Sequence, residues 1–211
     1  MTNILFIMTD QQRYDQMGYT NSAVKTPNLD YLAGQSIFFS NAFSSNPVCV
    51  PARASIFTGR YPSQTGVPHN GQCLPSSERT FMSMLRDAGY HTAVIGKQHF
   101  NRSPIEHGYD YEDIIDTHAA PKNIDPYNLQ TSQLDNSYLR FLYDNGFRHA
   151  EDLFEPLDTI LNRWKADTCF HVDHYVGERG KAWLKDERPT ETPWFLCLSF
   201  AQNSLWISHP A

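Results

Sequence analysis

The sequence predicts an α/β fold built on a mostly parallel central sheet, and three observations carry that prediction. Apolar strand-like runs alternate at least three times with helix-like segments, no internal repeat or linker interrupts them, and polar residues follow the apolar runs at once. Strands buried on both faces read as continuous apolar runs rather than alternating ones. In sheets of this kind ligands gather at the carboxyl ends of the strands. Asp10, the Lys97/His99 pair and the end of the last strand are therefore predicted to converge.

Taken in order, the run Asn3–Met8 predicts a first buried strand that delivers Thr9, Asp10, Gln11 and Gln12 at its end. Thr26 then reads as an N-cap with Pro27 in the first helical turn, and Leu29, Leu32 and Ala33 give that helix one apolar face. Residues 37–39 and 42–43 (Ile-Phe-Phe and Ala-Phe) predict a second strand. Pro51 is expected to open a helix that runs through Thr58 and stops at Gly59. Ser77 is expected to start another, with Phe81, Leu85 and Ala88 on one face and Gly89 as its end. His91–Ile95 predicts a strand followed by Gly96, Lys97, Gln98 and His99. Residues 101–167 are acidic and rich in Asn, Asp and Pro, and predict an irregular excursion with short helices, one around Tyr138–Tyr143. Val172, Tyr175, Val176, Trp183 and Leu184 predict a helix despite Gly177 and Gly180, and Trp194–Phe200 the last buried strand.

The chain's 211 residues, 40% of them hydrophobic, suit one domain with a substantial core and exclude disordered, collagen-like and coiled-coil classes. The net charge is −6, with +2 in residues 1–100 and −8 in 101–211. No basic stripe of the kind nucleic-acid binders carry is present. No apolar run approaches the roughly 18 residues of a membrane span, and the N-terminus lacks the basic region of a signal peptide. A chain with neither nucleic acid nor membrane as partner, residing in the cytoplasm, is the expectation. Cys49, Cys73, Cys169 and Cys197 show no metal-ligand spacing and are expected to be reduced thiols.

The most informative segment runs from Pro47 to Arg60. A cysteine beside a helix N-terminus, with Arg53 one turn on, sits in a positive field that favours a thiolate or another anion. From the residues alone Cys49 is either a nucleophile or a small buried hydrophobe. The segment Cys49-Val50-Pro51-Ala52-Arg53, with Thr58-Gly59-Arg60 following, resembles the signature of the sulfatase family, specifically its formylglycine-dependent type I members. Three further stretches stand in the matching order: the opening strand with Asp10, Thr26–Asp30, and Gly89–His99 with its Lys-x-His end.

The resemblance implies an alkaline-phosphatase-like sheet flanked by helices, and covers residues 1–100 strongly and 165–200 loosely. It implies that Cys49 is oxidised by a maturation enzyme to formylglycine (3-oxoalanine), whose hydrate attacks sulfur in a small anionic sulfate ester. Asp10 and the modified Cys49 would ligate a divalent cation, Ca²⁺ foremost, with Mg²⁺ or Mn²⁺ as alternatives. Arg53 would stabilise the oxyanion, Lys97 hold the sulfate oxygens, and His99 bond the hydrate or the leaving group. Gln11 stands where many members carry a second aspartate, as in the choline-sulfatase-like and phosphonate monoester hydrolase-like branches, and offers only a neutral carbonyl. Asn70 reads either as a substrate-side asparagine of that branch or as part of an Asn-Gly turn. His171 and His174, at i and i+3, are either a metal pair or surface histidines. The end of the chain departs from the family pattern: His209 is the one histidine near the usual Pro-His place, and no further acidic metal pair follows. Residues 1–211 are thus expected to be the N-terminal catalytic region of a sulfatase, truncated and prone to associate. A phosphonate or phosphate ester hydrolase and an inactive fragment are the alternatives.

Overall fold

The computed structural model describes residues 1–99, 107–115, 136–156, 162–201 and 206–207. They fall into two compact units: Met1–Asp10 together with Ser45–Ala211, and Gln11–Ser44.

In the first unit, β1 (Ile4–Met8), β2 (His91–Gly96), β3 (Tyr111–Ile114) and β6 (Trp194–Ser199) pair in parallel in the order β1-β6-β2-β3. Three of these are the predicted strands. β3 falls inside the supposed excursion, where its short half-polar sequence Tyr-Glu-Asp-Ile gives no apolar run to read. The same stretch carries β4 (Phe154–Pro156) and β5 (Asn162–Trp164), which pair antiparallel, and β7 (Trp206–Ile207) joins β5 in parallel to make a separate small sheet. His209 lies outside the described residues.

The continuous apolar sequences of β2 and β6 follow from cover on both faces. Ala93, Ile95, Leu196 and Leu198 face a cluster with Tyr175, Val176 and Trp183 of α7 (Val172–Ala182) and of the π-helical turn Trp183–Glu187 that extends it. Val94, Phe195 and Cys197 point the other way, into Val50, Ala54 and Phe57 of α2 (Cys49–Thr58) and Met82 of α4 (Phe81–Asp87). Gly180 is tolerated in α7 because the helix lies directly on β6: a Cβ there would stand 2.7 Å from Leu198 Cδ1. The predicted helix around Tyr138 is α5 (Ser137–Asp144), which buries Tyr138 and Leu142; the short α3 (Pro62–Thr65) and α6 (Ala150–Leu153) complete the unit.

Two helix starts differ from the sequence reading. α2 begins at Cys49, with extended Val48 as N-cap, because Pro51 still lies in the first turn, where its missing N–H costs nothing. α4 begins after Thr80 rather than at Ser77, since the Thr80 hydroxyl accepts a bond from Ser83 N at 3.2 Å and so fixes the first turn there.

The second unit holds α1 (Pro27–Gly34), as predicted, with Pro27 in the first turn. The Thr26 hydroxyl does not cap it; that oxygen accepts from Gly18 N and donates to Asp30. No residue of α1 is buried, so the apolar face read from Leu29 and Leu32 is not a core face. Residues 37–43 form no strand. Phe38 packs at a tilt against Tyr19 with ring centroids 4.9 Å apart instead, while Ile37 and Phe43 stay more than four-fifths exposed, and among the described residues no sheet neighbour pairs with this run.

Candidate active site

The convergence expected at the strand ends is present for Asp10, Lys97 and the end of the last strand. Asp10 lies two residues past β1, Lys97 one residue past β2, and Ser199 is the last residue of β6, the strand between them. The Lys97 ammonium is ion-paired with Asp10 Oδ2, and Arg53 Nη2 stands 3.7 Å from Asp10 Oδ1. Arg53 Nη1 donates to the carbonyl of Lys97 at 2.7 Å and to Ser199 Oγ at 3.0 Å. The guanidinium is only 3% exposed, too deep to be a solvated surface charge. Two cations share one carboxylate here, so the cluster carries a surplus positive charge at the ends of three strands.

Helix α2 links this cluster to Cys49. Residues four apart on a helix have Cβ atoms about 6 Å apart on one face, and the helical Cα–Cβ bonds tilt toward the N-terminus. Arg53 therefore leans back toward Cys49, the first residue of α2, whose side of the helix is only half covered. The backbone on either side of Cys49 is clamped by two asparagines: Asn46 Oδ1 accepts from Val48 N at 2.8 Å, and Asn70 Oδ1 from Val50 N at 3.0 Å. Asn70 is thus a remote cap for α2, placed beside Cys49 by 20 residues of intervening chain. The Thr58-Gly59-Arg60 end of the motif serves the scaffold. Gly59 takes the left-handed C-cap (φ 68°), and Arg60 grips both oxygens of Glu78 at 2.6 and 2.7 Å.

His99 is buried three residues beyond β2, but not by continuing the strand. The backbone turns at Gly96 (φ 104°) and His99 itself is left-handed (φ 57°), so strand alternation does not set its direction relative to Lys97. Gln11 belongs to the second unit and also has a left-handed backbone (φ 56°). His171 is the N-cap of α7, its Nδ1 accepting from Asp173 N, and His174 faces Glu178 on the surface.

Under Arg53 lies a dry polar pair, the Tyr109 phenol and the Cys197 thiol. Burial pushes Cys197 up to about 12, with Arg53 only partly opposing it, and raises Tyr109 as well. Cys197 is therefore a protonated packing residue. Ser199 and Asn46 are the members that sequence reasoning missed. A single polar residue closing the apolar run Trp194–Leu198 was the available signal for Ser199.

Among the described residues no group of three or more His, Cys, Asp or Glu side chains could hold a metal ion. Asp10 is the one carboxylate in the cluster, and both of its oxygens face cations. Ca²⁺ takes six to eight oxygens and Mg²⁺ a near-octahedral set, so these residues alone do not fit either ion.

The family model for sulfatases matches residues 2–205. The chain belongs to the sulfatase family. It is 30% identical over 207 residues to the sulfatase YidJ of Escherichia coli K12, covering 94% of this sulfatase chain and 37% of that protein. Its fold matches a solved structure in complex with the substrate D-glucosamine-2-N,6-O-disulfate (TM-score 0.69, 22% identity, 98% of this chain and 35% of that one). It also matches the phosphonate monoester hydrolase of Agrobacterium radiobacter (TM-score 0.72, 21% identity, 96% and 41%). The chain thus spans about two fifths of the length of these relatives. Their sheets are of the alkaline-phosphatase-like kind, and the parallel four-stranded sheet here is part of that architecture. No helix among the described residues is long and apolar enough to cross a membrane.

Proposed function

We propose that this chain carries the nucleophile and anion-holding groups of a sulfuric ester hydrolase. The observation that supports this most is the shared face of α2: Cys49 on its first turn and Arg53 on its second, with Arg53 and Lys97 gathered about Asp10. In this reading a formylglycine-generating maturation enzyme converts Cys49 to the aldehyde, which water hydrates to a geminal diol. One diol oxygen attacks the sulfur of a small anionic sulfate ester, and the alcohol leaves with a proton. The second hydroxyl then loses its proton, the bond between carbon and the ester oxygen breaks, sulfate departs and the aldehyde is restored.

Arg53 and Lys97 neutralise the sulfate oxygens and the charge that builds on them in the transition state. His99 serves the leaving oxygen or the hydrate. Asn70 Oδ1 is engaged with Val50 N, so its contact to substrate comes from Nδ2. Asp10 and the matured Cys49 are oxygen donors of the kind a divalent cation (Ca²⁺, or Mg²⁺ or Mn²⁺) takes, but the two do not complete a site, and no step of this reading runs through a metal. With Asp10 the one carboxylate in the cluster among the described residues, weak calorimetric binding of all three ions is the expected result for this chain.

The test is co-expression with a competent maturase followed by peptide mass spectrometry of the segment holding Cys49, then assays with an aryl sulfate and a phenyl phosphonate monoester. Conversion of the thiol to the aldehyde with preference for the sulfate supports the reading. An unmodified cysteine removes it, and a preference for the phosphonate shifts the substrate class.

A further inference from the structure

We propose that Ser199 is a positioning residue that aims the Arg53 guanidinium at an incoming oxyanion and pins the backbone from which Lys97 projects, an inference resting on those two cations being the sulfate-holding pair. β6 lies between β1 and β2, and its register sets Ser199 opposite Met8 on one side and Gly96 on the other. Ser199 is fully buried, and its two oxygens bond the Arg53 guanidinium and the backbone amide of Lys97. Its hydroxyl accepts from Arg53 Nη1 at 3.0 Å, and its carbonyl accepts from Lys97 N at 2.8 Å. Arg53 Nη1 spends its other hydrogen on the Lys97 carbonyl at 2.7 Å, which closes a ring through Ser199, Arg53 and Lys97.

The ring has a consequence for Asp10. With both Nη1 hydrogens held from the strand side, Nη1 is not available to join Nη2 in an end-on two-pronged grip on Asp10, and Nη2 stays 3.7 Å from Oδ1. Bidentate pairing is the strong geometry for Arg and a carboxylate. By denying it, Ser199 leaves part of the Arg53 charge for an anion. Gly96 makes the arrangement possible. Its φ of 104° turns the chain so that Lys97 N meets Ser199 O, and a Cβ there would overlap that carbonyl oxygen.

The test compares the parent chain with Ser199→Ala and with the control Ser55→Ala. Ser55 lies on the same helix as Arg53, is buried, and has a hydroxyl with no hydrogen-bond partner among the described residues. Inorganic sulfate is titrated calorimetrically, and the Arg53 Nη signals are followed by NMR of ¹⁵N-arginine-labelled protein, identified by their loss in Arg53→Lys. In Ser199→Ala sulfate affinity should fall about tenfold, since a hydrogen bond to a charged group is lost, and the resolved Arg53 Nη signals should merge as the side chain rotates. Ser55→Ala should change neither. Unchanged Arg53 signals in folded Ser199→Ala overturn the proposal. Signals that merge in Ser199→Ala, where the parent chain resolves them but binds no sulfate, uphold the role of Ser199 in fixing Arg53 and remove the anion-binding reading instead.

Discussion

Two ion clusters tie this sheet to its helices, and they are built to opposite ends. At the carboxyl ends of the central strands, Arg53 and Lys97 share the single carboxylate of Asp10. At β3, on the edge of the sheet, one arginine serves two carboxylates. Arg179 Nε donates to Asp113 at 2.8 Å, Nη1 to Glu187 at 3.1 Å and Nη2 to the Tyr111 hydroxyl at 2.6 Å, while Ser137 bonds the other Asp113 oxygen. Every nitrogen of Arg179 is committed, and its carboxylate partners hold it more firmly protonated than a free guanidinium even though burial opposes them. A closed cluster of this kind joins β3, α5 and α7 and has nothing to offer a ligand. The Asp10 cluster keeps a surplus cation, and that surplus makes it a site.

The largest expected effect breaks the closed cluster. Arg179→Ala leaves Asp113, 6% exposed, with a buried charge and neutral hydroxyls such as that of Ser137 beside it in place of a cation. Removing one partner of a buried pair typically costs about 3 kcal/mol; the more open Glu187 arm contributes little to that. Urea unfolding should show the loss, and sulfate titration of the folded variant should show no change. A stability cost below about 1 kcal/mol would mean that the pair is solvated and the comparison misdrawn.

The polar pair beneath Arg53 gives a dependence on pH. Burial raises the Cys197 thiol from an ordinary value of 9.0 to about 12. The folded protein therefore holds the proton more tightly than the unfolded chain does, so this contribution to stability is complete below pH 9 and is lost progressively as pH rises toward 12. Tyr109 shifts in the same direction. Unfolding curves taken from pH 8 upward should fall steeply above pH 9, and Cys197→Ala should flatten that fall. Exposed Cys73 and Cys169 should react with iodoacetamide in the folded state, and Cys197 only after unfolding.

A third experiment sharpens the difference in charge. Lys97→Met brings the Asp10 cluster to neutrality while Arg53 still pairs the carboxylate. Sulfate affinity should drop at least tenfold, an effect worth about 1.4 kcal/mol, and the remaining affinity should depend less on salt. An unchanged sulfate affinity would take Lys97 out of the site.

The two clusters also differ in how far the sequence reveals them. Asp10 and Lys97 were legible because each follows a strand whose apolar run is strong and because parallel sheets gather such ends together, and Arg53 because it stands one turn after Cys49 in the Cys-x-Pro-x-Arg segment. Asp113 and Arg179 were not. β3 is a four-residue edge strand with two acidic residues, and an arginine in a polar helix carries no mark of its distant partner. Residues 37–43 show the converse failure, since aromatic content reads as a strand whether or not a neighbour exists to pair with it. Helix starts were misplaced by two and four residues because capping depends on which side chain reaches the first turn. For α2 that side chain is Asn70, far along the chain.

The smallest predicted effect concerns that cap. Asn70→Ala removes the acceptor for Val50 N at the head of α2, and losing an N-terminal cap costs about 1 kcal/mol. The loss falls on the one turn that presents Cys49, so its local consequence should exceed its global one. Amide hydrogen exchange should quicken at Val50 while Phe57 and Thr58, at the far end of the helix, stay protected. Asn70→Asp separates the two readings of the residue. A carboxylate accepts from Val50 N as well as the amide does, and near a helix N-terminus it is favoured by the dipole, so stability should recover. Sulfate affinity should not, because the new negative charge stands beside Cys49 and the Nδ2 donor is gone. Recovery of both would make Asn70 a cap and nothing more, and the substrate-side reading would then rest on Arg53 and Lys97 alone.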